Sequence, residues 1–159
     1  MDVVDAPLAD GRRCRVVTVL DMCTRECLAI DVGQGVGRHQ VAATVERLRL
    51  KRGVPQRIDC DNGPEFVSAE LDLWAYAHGV ILDFSRRGTP TDHAMIESFN
   101  GRCRADYLNA HWCTSLEDAQ HKAVASRWNH EEPQPHRTFE GQSPREFAQR
   151  MLNTAAGSC

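Results

Sequence analysis

Asp61 and Glu97, with 35 residues between them, are the pair whose types and spacing can do chemistry. Asp61 follows a short apolar run, Ile58-Asp59-Cys60, where a strand gives way to a turn at Asn62-Gly63. Glu97 lies in Ala94-Met95-Ile96-Glu97-Ser98-Phe99-Asn100-Gly101-Arg102, which reads as the start of a helix. A strand-end carboxylate and a helix carboxylate can converge on a divalent metal. Hard cations such as Mg²⁺ take oxygen ligands, and two of them about 3.5–4 Å apart clamp the entering and leaving oxygens of a phosphoryl transfer. Taken singly, the two residues have plainer readings, a turn aspartate and a surface glutamate.

The surrounding stretches add weight. Met1-Asp2-Val3-Val4 comes before Leu8-Ala9-Asp10-Gly11-Arg12-Arg13, then Val19-Leu20-Asp21 with Thr24-Arg25-Glu26-Cys27-Leu28-Ala29. Asp61-Asn62-Gly63-Pro64-Glu65-Phe66, Gly88-Thr89-Pro90 and Ala94 to Gly101 follow. Trp128-Asn129, Pro135-His136 and Ser143-Pro144-Arg145-Glu146-Phe147 close the series. In this order they resemble the catalytic core of insertion-sequence transposases of the IS-three group, OrfB-type relatives of retroviral integrases. The resemblance covers residues 1–150. Each stretch alone is weak evidence; the ordered set is specific.

The resemblance implies a ribonuclease-H-like α/β fold, a five-stranded mixed sheet flanked by helices, and DNA transposition as the activity. It implies a third carboxylate on the first strand. Of Asp2, Asp5, Asp10, Asp21 and Asp31, Asp2 matches by its flanks, whereas Asp21 ends the second strand and fits a turn-holding role. Asp2, Asp61 and Glu97 would then hold two Mg²⁺ or Mn²⁺ ions, with DNA (transposon ends and target) as partner and a homo-oligomer assembled on it. Asn62, Arg86, Arg87, Asn100 and Arg104 are the candidate DNA contacts. Glu65 has three open readings: orienting Asp61, touching DNA, or forming part of the loop only. The family commonly has Asn where this chain has His93, and Tyr and Arg where it has Trp128 and Gln134, so no chemistry is assigned to these three. Two other readings stay open, a nuclease of the same fold and a non-catalytic nucleic-acid-binding remnant.

Local patterns supply the elements that must position these residues. The β-branched run Cys14–Leu20 and the segment Cys27–Val32 read as strands after a first strand at Val3-Val4. Arg38–Arg52 carries Val41, Val45 and Leu48 on one helical face, and Gly53-Val54-Pro55 ends it. Gln56–Cys60 reads as a buried parallel strand, Val67–His78 as a helix, Val80–Phe84 as a fifth strand and Arg86–Asp92 as a loop. From Ala94 to about Asn109 a helix turns Ile96, Phe99, Cys103 and Tyr107 inward, with Glu97, Asn100, Gly101 and Arg104 sharing another face. Helices over Leu116–Trp128 and Pro144–Leu152 complete the reading.

Size and composition bound the rest. At 159 residues the chain reads as a single core over 1–152, truncated at its N-terminus, with a disordered tail at 153–159. Apolar content of 42% and charged content of 26% are ordinary for a globular protein, and no run is long enough to span a membrane, which points to the cytoplasm. A net charge of −3 speaks against a surface that grips DNA everywhere, leaving local clusters for that task. Arg47, Arg49, Lys51 and Arg52 read as solvated charge; Arg86-Arg87 and Arg102 with Arg104 flank Glu97 and read as DNA contacts. The seven cysteines show no metal or disulfide framework and read as reduced thiols, so zinc on Cys23, Cys27, His111 and Cys113 is set aside. Gly33-Gln34-Gly35-Val36-Gly37 lacks the Gly-x-Gly-x-x-Gly spacing of a nucleotide loop and reads as a connection.

Overall fold

The computed structural model describes residues 1–84, 94–108 and 113–131. Strands β1 (Asp2–Pro7), β2 (Arg13–Leu20) and β3 (Cys27–Gly33) form an antiparallel meander, in register at Asp2 opposite Thr18 and Val17 opposite Asp31. Helix α1 (Arg38–Arg52) crosses to β4 (Arg57–Cys60), and α2 (Ala69–His78) crosses to β5 (Ile81–Phe84), which pairs with β4 in parallel. Helix α3 (Ala94–Cys103) runs into a π-helical turn, Arg104–Leu108, and α4 (Leu116–Glu131) ends the described chain. None of the described helices is long and apolar enough to cross a membrane.

The described strands do not form the single five-stranded sheet expected from the sequence. Among the described residues the strands form a three-stranded antiparallel sheet and a separate two-stranded parallel one. The reason is overlap. β1 begins where β4 ends, and they meet through one backbone bond, from the Met1 ammonium to the Asp59 carbonyl at 2.5 Å. After Cys60 the chain turns away into the Asp61–Gly63 segment, and among the described residues β1 and β4 share no ladder.

Alternation along the meander makes two cores. Val4, Ala6, Cys14 and Val16 face α3 and α4, packing with Ile96, Phe99, Cys103 and Ala119. Val17, Val19 and Ala29 face α1 and α2, packing with Val41, Val45, Phe66 and Leu71. Across the first core, the Gln120 amide of α4 reaches the outer edge of β3. Its oxygen accepts the Val32 N–H at 2.8 Å and its nitrogen donates to the Ile30 carbonyl at 3.0 Å.

Helix α1 has the expected bounds. α2 starts two residues later than the apolar pattern suggests, because the Ser68 hydroxyl accepts the Leu71 N–H and caps the helix, leaving Val67 exposed. It stops at Gly79, whose left-handed backbone (φ 67°) suits a residue without Cβ. In the last stretch of α3, Cys103 is followed on the inner side by Leu108, 1% exposed, five residues on. A π turn accommodates one extra residue per turn, which fits the five-residue step from Cys103 to Leu108.

Candidate active site

Asp2 opens β1 on the face that α3 covers. Its Oδ2 accepts a hydrogen bond from the Asn100 amide nitrogen at 2.6 Å, and its Oδ1 accepts the Val3 N–H at 2.7 Å. Beneath it the buried Thr18 hydroxyl donates to the Asp2 carbonyl at 3.3 Å, fixing the strand end. Asp61 stands exposed just past β4, its Oδ1 accepting the Asn62 N–H at 2.7 Å. Both aspartates act on the Met1 ammonium, whose pKa burial pushes down while the neighbouring Cys60, Asp2, Asp59 and Asp61 push it back up. The ends of β1 and β4 are therefore adjacent, and each carries a carboxylate.

Glu97 is exposed in the first turn of α3. Asn100, one turn on, ties that helix to Asp2. Asn100 is 6% exposed, and its side chain turns inward to the strand rather than outward to solvent. Its Oδ1 is buried without a hydrogen-bond partner among the described residues. Arg104 is exposed at the start of the π turn, and Asn62 is exposed in the turn after Asp61. Arg86, Arg87 and His93 lie outside the described residues, as do His111, the Pro135-His136 segment, the expected helix over 144–152 and the tail at 153–159.

The donor chemistry suits a hard cation. Three carboxylates and the unpartnered Asn100 carbonyl oxygen are oxygen donors of the kind Mg²⁺ and Mn²⁺ take. The structure joins Asp2 to Asn100 directly and brings Asp61 to the neighbouring strand end. Among the described residues, however, no three His, Cys, Asp or Glu side chains close around one point as metal ligands do.

Other sequence expectations find definite places. Asp21 holds a turn, its Oδ1 accepting the N–H groups of Cys23 and Thr24 at 2.8 and 3.1 Å. Three of the four cations in the α1 basic cluster are paired locally, Arg47 with Asp31, Arg49 with Glu46 and Arg52 with the buried Glu26, while Lys51 is exposed. Cys14, Cys27, Cys60, Cys103 and Cys113 are buried, and Cys23 is exposed. Arg15, which bonds Glu65 at 2.8 Å and Asp5 at 3.2 Å, was not singled out from the sequence. Its signal was there: a lone cation inside the apolar run Cys14–Leu20.

An antiparallel meander, two crossover helices leading to a parallel pair, and acidic residues at adjacent strand ends define an α/β domain of the ribonuclease-H type. The particular lineage follows from comparison. The family described as Integrase core domain matches residues 1–90, a second family of the same description matches residues 78–144, and the chain belongs to the integrase core domain family. It is 41% identical over 155 residues to an uncharacterized 31.7 kDa protein of insertion element IS407 from Burkholderia multivorans, covering 98% of this chain and 56% of that protein. It is 37% identical over 148 residues to an uncharacterized 39.2 kDa protein of insertion element IS476 from Xanthomonas euvesicatoria, covering 93% and 43%. The chain thus spans about half the length of the curated relatives it matches. Its fold matches the HTLV-2 integrase catalytic core domain, solved in complex with magnesium, with a TM-score of 0.71 at 16% identity over 91% of this chain and 90% of that one.

Proposed function

We propose that this chain is the catalytic core of an insertion-sequence transposase, a metal-dependent polynucleotidyl transferase that cuts DNA and joins strands. The observation that carries the reading is the Asn100–Asp2 bond: it fastens the helix bearing Glu97 to the strand end beside Asp61. Family membership and the two insertion-element relatives support it.

Asp2, Asp61 and Glu97 would hold two Mg²⁺ or Mn²⁺ ions. Such a pair supplies a nucleophilic oxygen at neutral pH and stabilises the leaving 3′-oxygen. Asn100 fixes the rotamer of Asp2 through its amide nitrogen, and its one side-chain oxygen, Oδ1, is buried with no hydrogen-bond partner among the described residues. Asp61 and Glu97, both exposed, face the solvent from which DNA arrives. Arg104, seven residues beyond Glu97 along α3 and its π turn, supplies positive charge for a phosphate, with Asn62, Arg86 and Arg87 as further contacts. Assembly as a homo-oligomer on DNA, in the cytoplasm, belongs to the same proposal.

The test is Mn²⁺-dependent cleavage and joining of DNA carrying the ends of the parent element. Asp61→Asn and Glu97→Gln each abolish both steps, while the melting temperature holds or rises because like-charge repulsion is relieved. Wild-type rates in either variant overturn the site. Cleavage without joining favours the nuclease, and a parent protein that binds no Mn²⁺ favours the non-catalytic remnant.

A further inference from the structure

Glu65 sits four residues beyond Asp61, yet it is 6% exposed. A glutamate is rarely buried without a partner. Here the partner is Arg15 in the middle of β2, whose Nη2 donates to Glu65 Oε1 at 2.8 Å while its Nε donates to Asp5 at 3.2 Å. The other oxygen, Oε2, is buried with no hydrogen-bond partner among the described residues. A buried polar atom left unsatisfied costs about 1–3 kcal/mol, so packing alone does not account for a carboxylate at this position.

The carboxyl group rests against the turn that carries Asp61. A Cβ added at Gly63 would lie 2.8 Å from both the carboxyl carbon and Oε1 of Glu65. With any larger residue at Gly63 the Glu65 carboxyl would have to move from its place. The Gly63 carbonyl in turn accepts the N–H groups of Phe66 and Val67, each at 3.0 Å, and Phe66 is fully buried in the core. Asp61 and Asn62 are thereby strung between two anchors, the end of β4 at Cys60 and the Gly63–Phe66 clamp. A buried acid bonded to β2 cannot serve as a surface DNA contact.

We propose that Glu65 is a positioning residue: locked to Arg15, it clamps Gly63 and so fixes where the Asp61 carboxylate points. Its importance for catalysis rests on the functional reading above. The clamp itself does not.

The experiment compares Glu65→Ala, Glu65→Gln, Gly63→Ala and a control, Glu26→Ala, which breaks the ion pair of a different buried glutamate, to Arg52. Amide hydrogen exchange at Phe66 and Val67 reports the clamp; calorimetric Mn²⁺ binding, with Asp61→Asn to define the site, reports the aim. Supporting groups of metal ligands typically affect affinity by about 10–100-fold, so Glu65→Ala and Gly63→Ala weaken Mn²⁺ binding at least about tenfold. Both also speed exchange at these two amides beyond any change in global stability. Glu65→Gln keeps the Arg15 acceptor and stays near the parent. Glu26→Ala lowers the melting temperature while leaving both readouts at parental values. Unchanged exchange in Glu65→Ala overturns the clamp; faster exchange with parental Mn²⁺ affinity overturns its role in aiming Asp61. Should Glu65→Ala fail to fold, Gly63→Ala, which removes no charge, takes its place under the same two readouts. A parent protein whose Mn²⁺ binding ignores Asp61→Asn defeats the functional reading instead, and the exchange arm then decides the clamp alone.

Discussion

Replacing Asn100 by Asp changes one group and keeps the shape, so its effect can be worked from a single contact. In the parent, the Asn100 amide donates to Asp2 Oδ2 at 2.6 Å from a buried position. In the variant an oxygen faces an oxygen. The lost hydrogen bond to a charged group is worth about 1.5–3 kcal/mol. Two carboxylates near 4 Å repel by about 4 kcal/mol at an effective dielectric constant of 20. The pair has an escape: it can share one proton, which raises its folded pKa above the unfolded value of about 3.9. Taking up that proton at pH 7 costs about 4 kcal/mol, which caps the damage. The sign follows. Stability is retained below pH 4, where the shared proton is present in both states, and lost as pH rises through the raised folded pKa. Urea denaturation of Asn100→Asp and parent at pH 7 and pH 4 measures it, with a deficit of about 3–4 kcal/mol at pH 7 that nearly vanishes at pH 4. An equal deficit at both values, or none at pH 7, refutes the Asn100–Asp2 contact.

Two further outcomes follow from named contacts. Arg104→Ala weakens DNA binding and lowers the slope of log K against log salt by about one unit, with Mn²⁺ affinity unaffected; an unchanged slope makes Arg104 ordinary surface charge. Glu46 is held down to about 2 by hydrogen bonds from Arg49 and from the Trp74 indole, so its contribution is present above its ordinary value of 4.5 and lost as pH falls through about 2. Glu46→Gln therefore lowers the urea midpoint at pH 6, and the gap to the parent closes between pH 4.5 and 2; a gap independent of pH refutes this.

Local periodicity carried much of the fold. The apolar stripe and terminal glycine of α1 gave its bounds to the residue, and β2 and β3 were legible in their β-branched runs. What the sequence left hidden was set by distant partners. Whether five strands form one sheet depends on how far β1 overlaps β4, and no local pattern encodes that overlap. Asn100 shares a helical face with Glu97 on paper, but which face turns inward is decided by where α3 docks on β1. Glu65 had three readings because its partner, Arg15, lies 50 positions earlier. The π turn was missed for a similar reason: the need to bury Leu108 outweighs regular helical spacing.

The reach of Gln120 to β3 has a consequence for association between molecules. A primary amide is a peptide group cut loose from the backbone, and on β3 it occupies the Ile30 carbonyl and the Val32 N–H, two of the edge groups that a docking strand would engage. A strand pairing there would first have to displace that amide, so one side chain guards this stretch of the meander's border against edge-to-edge stacking.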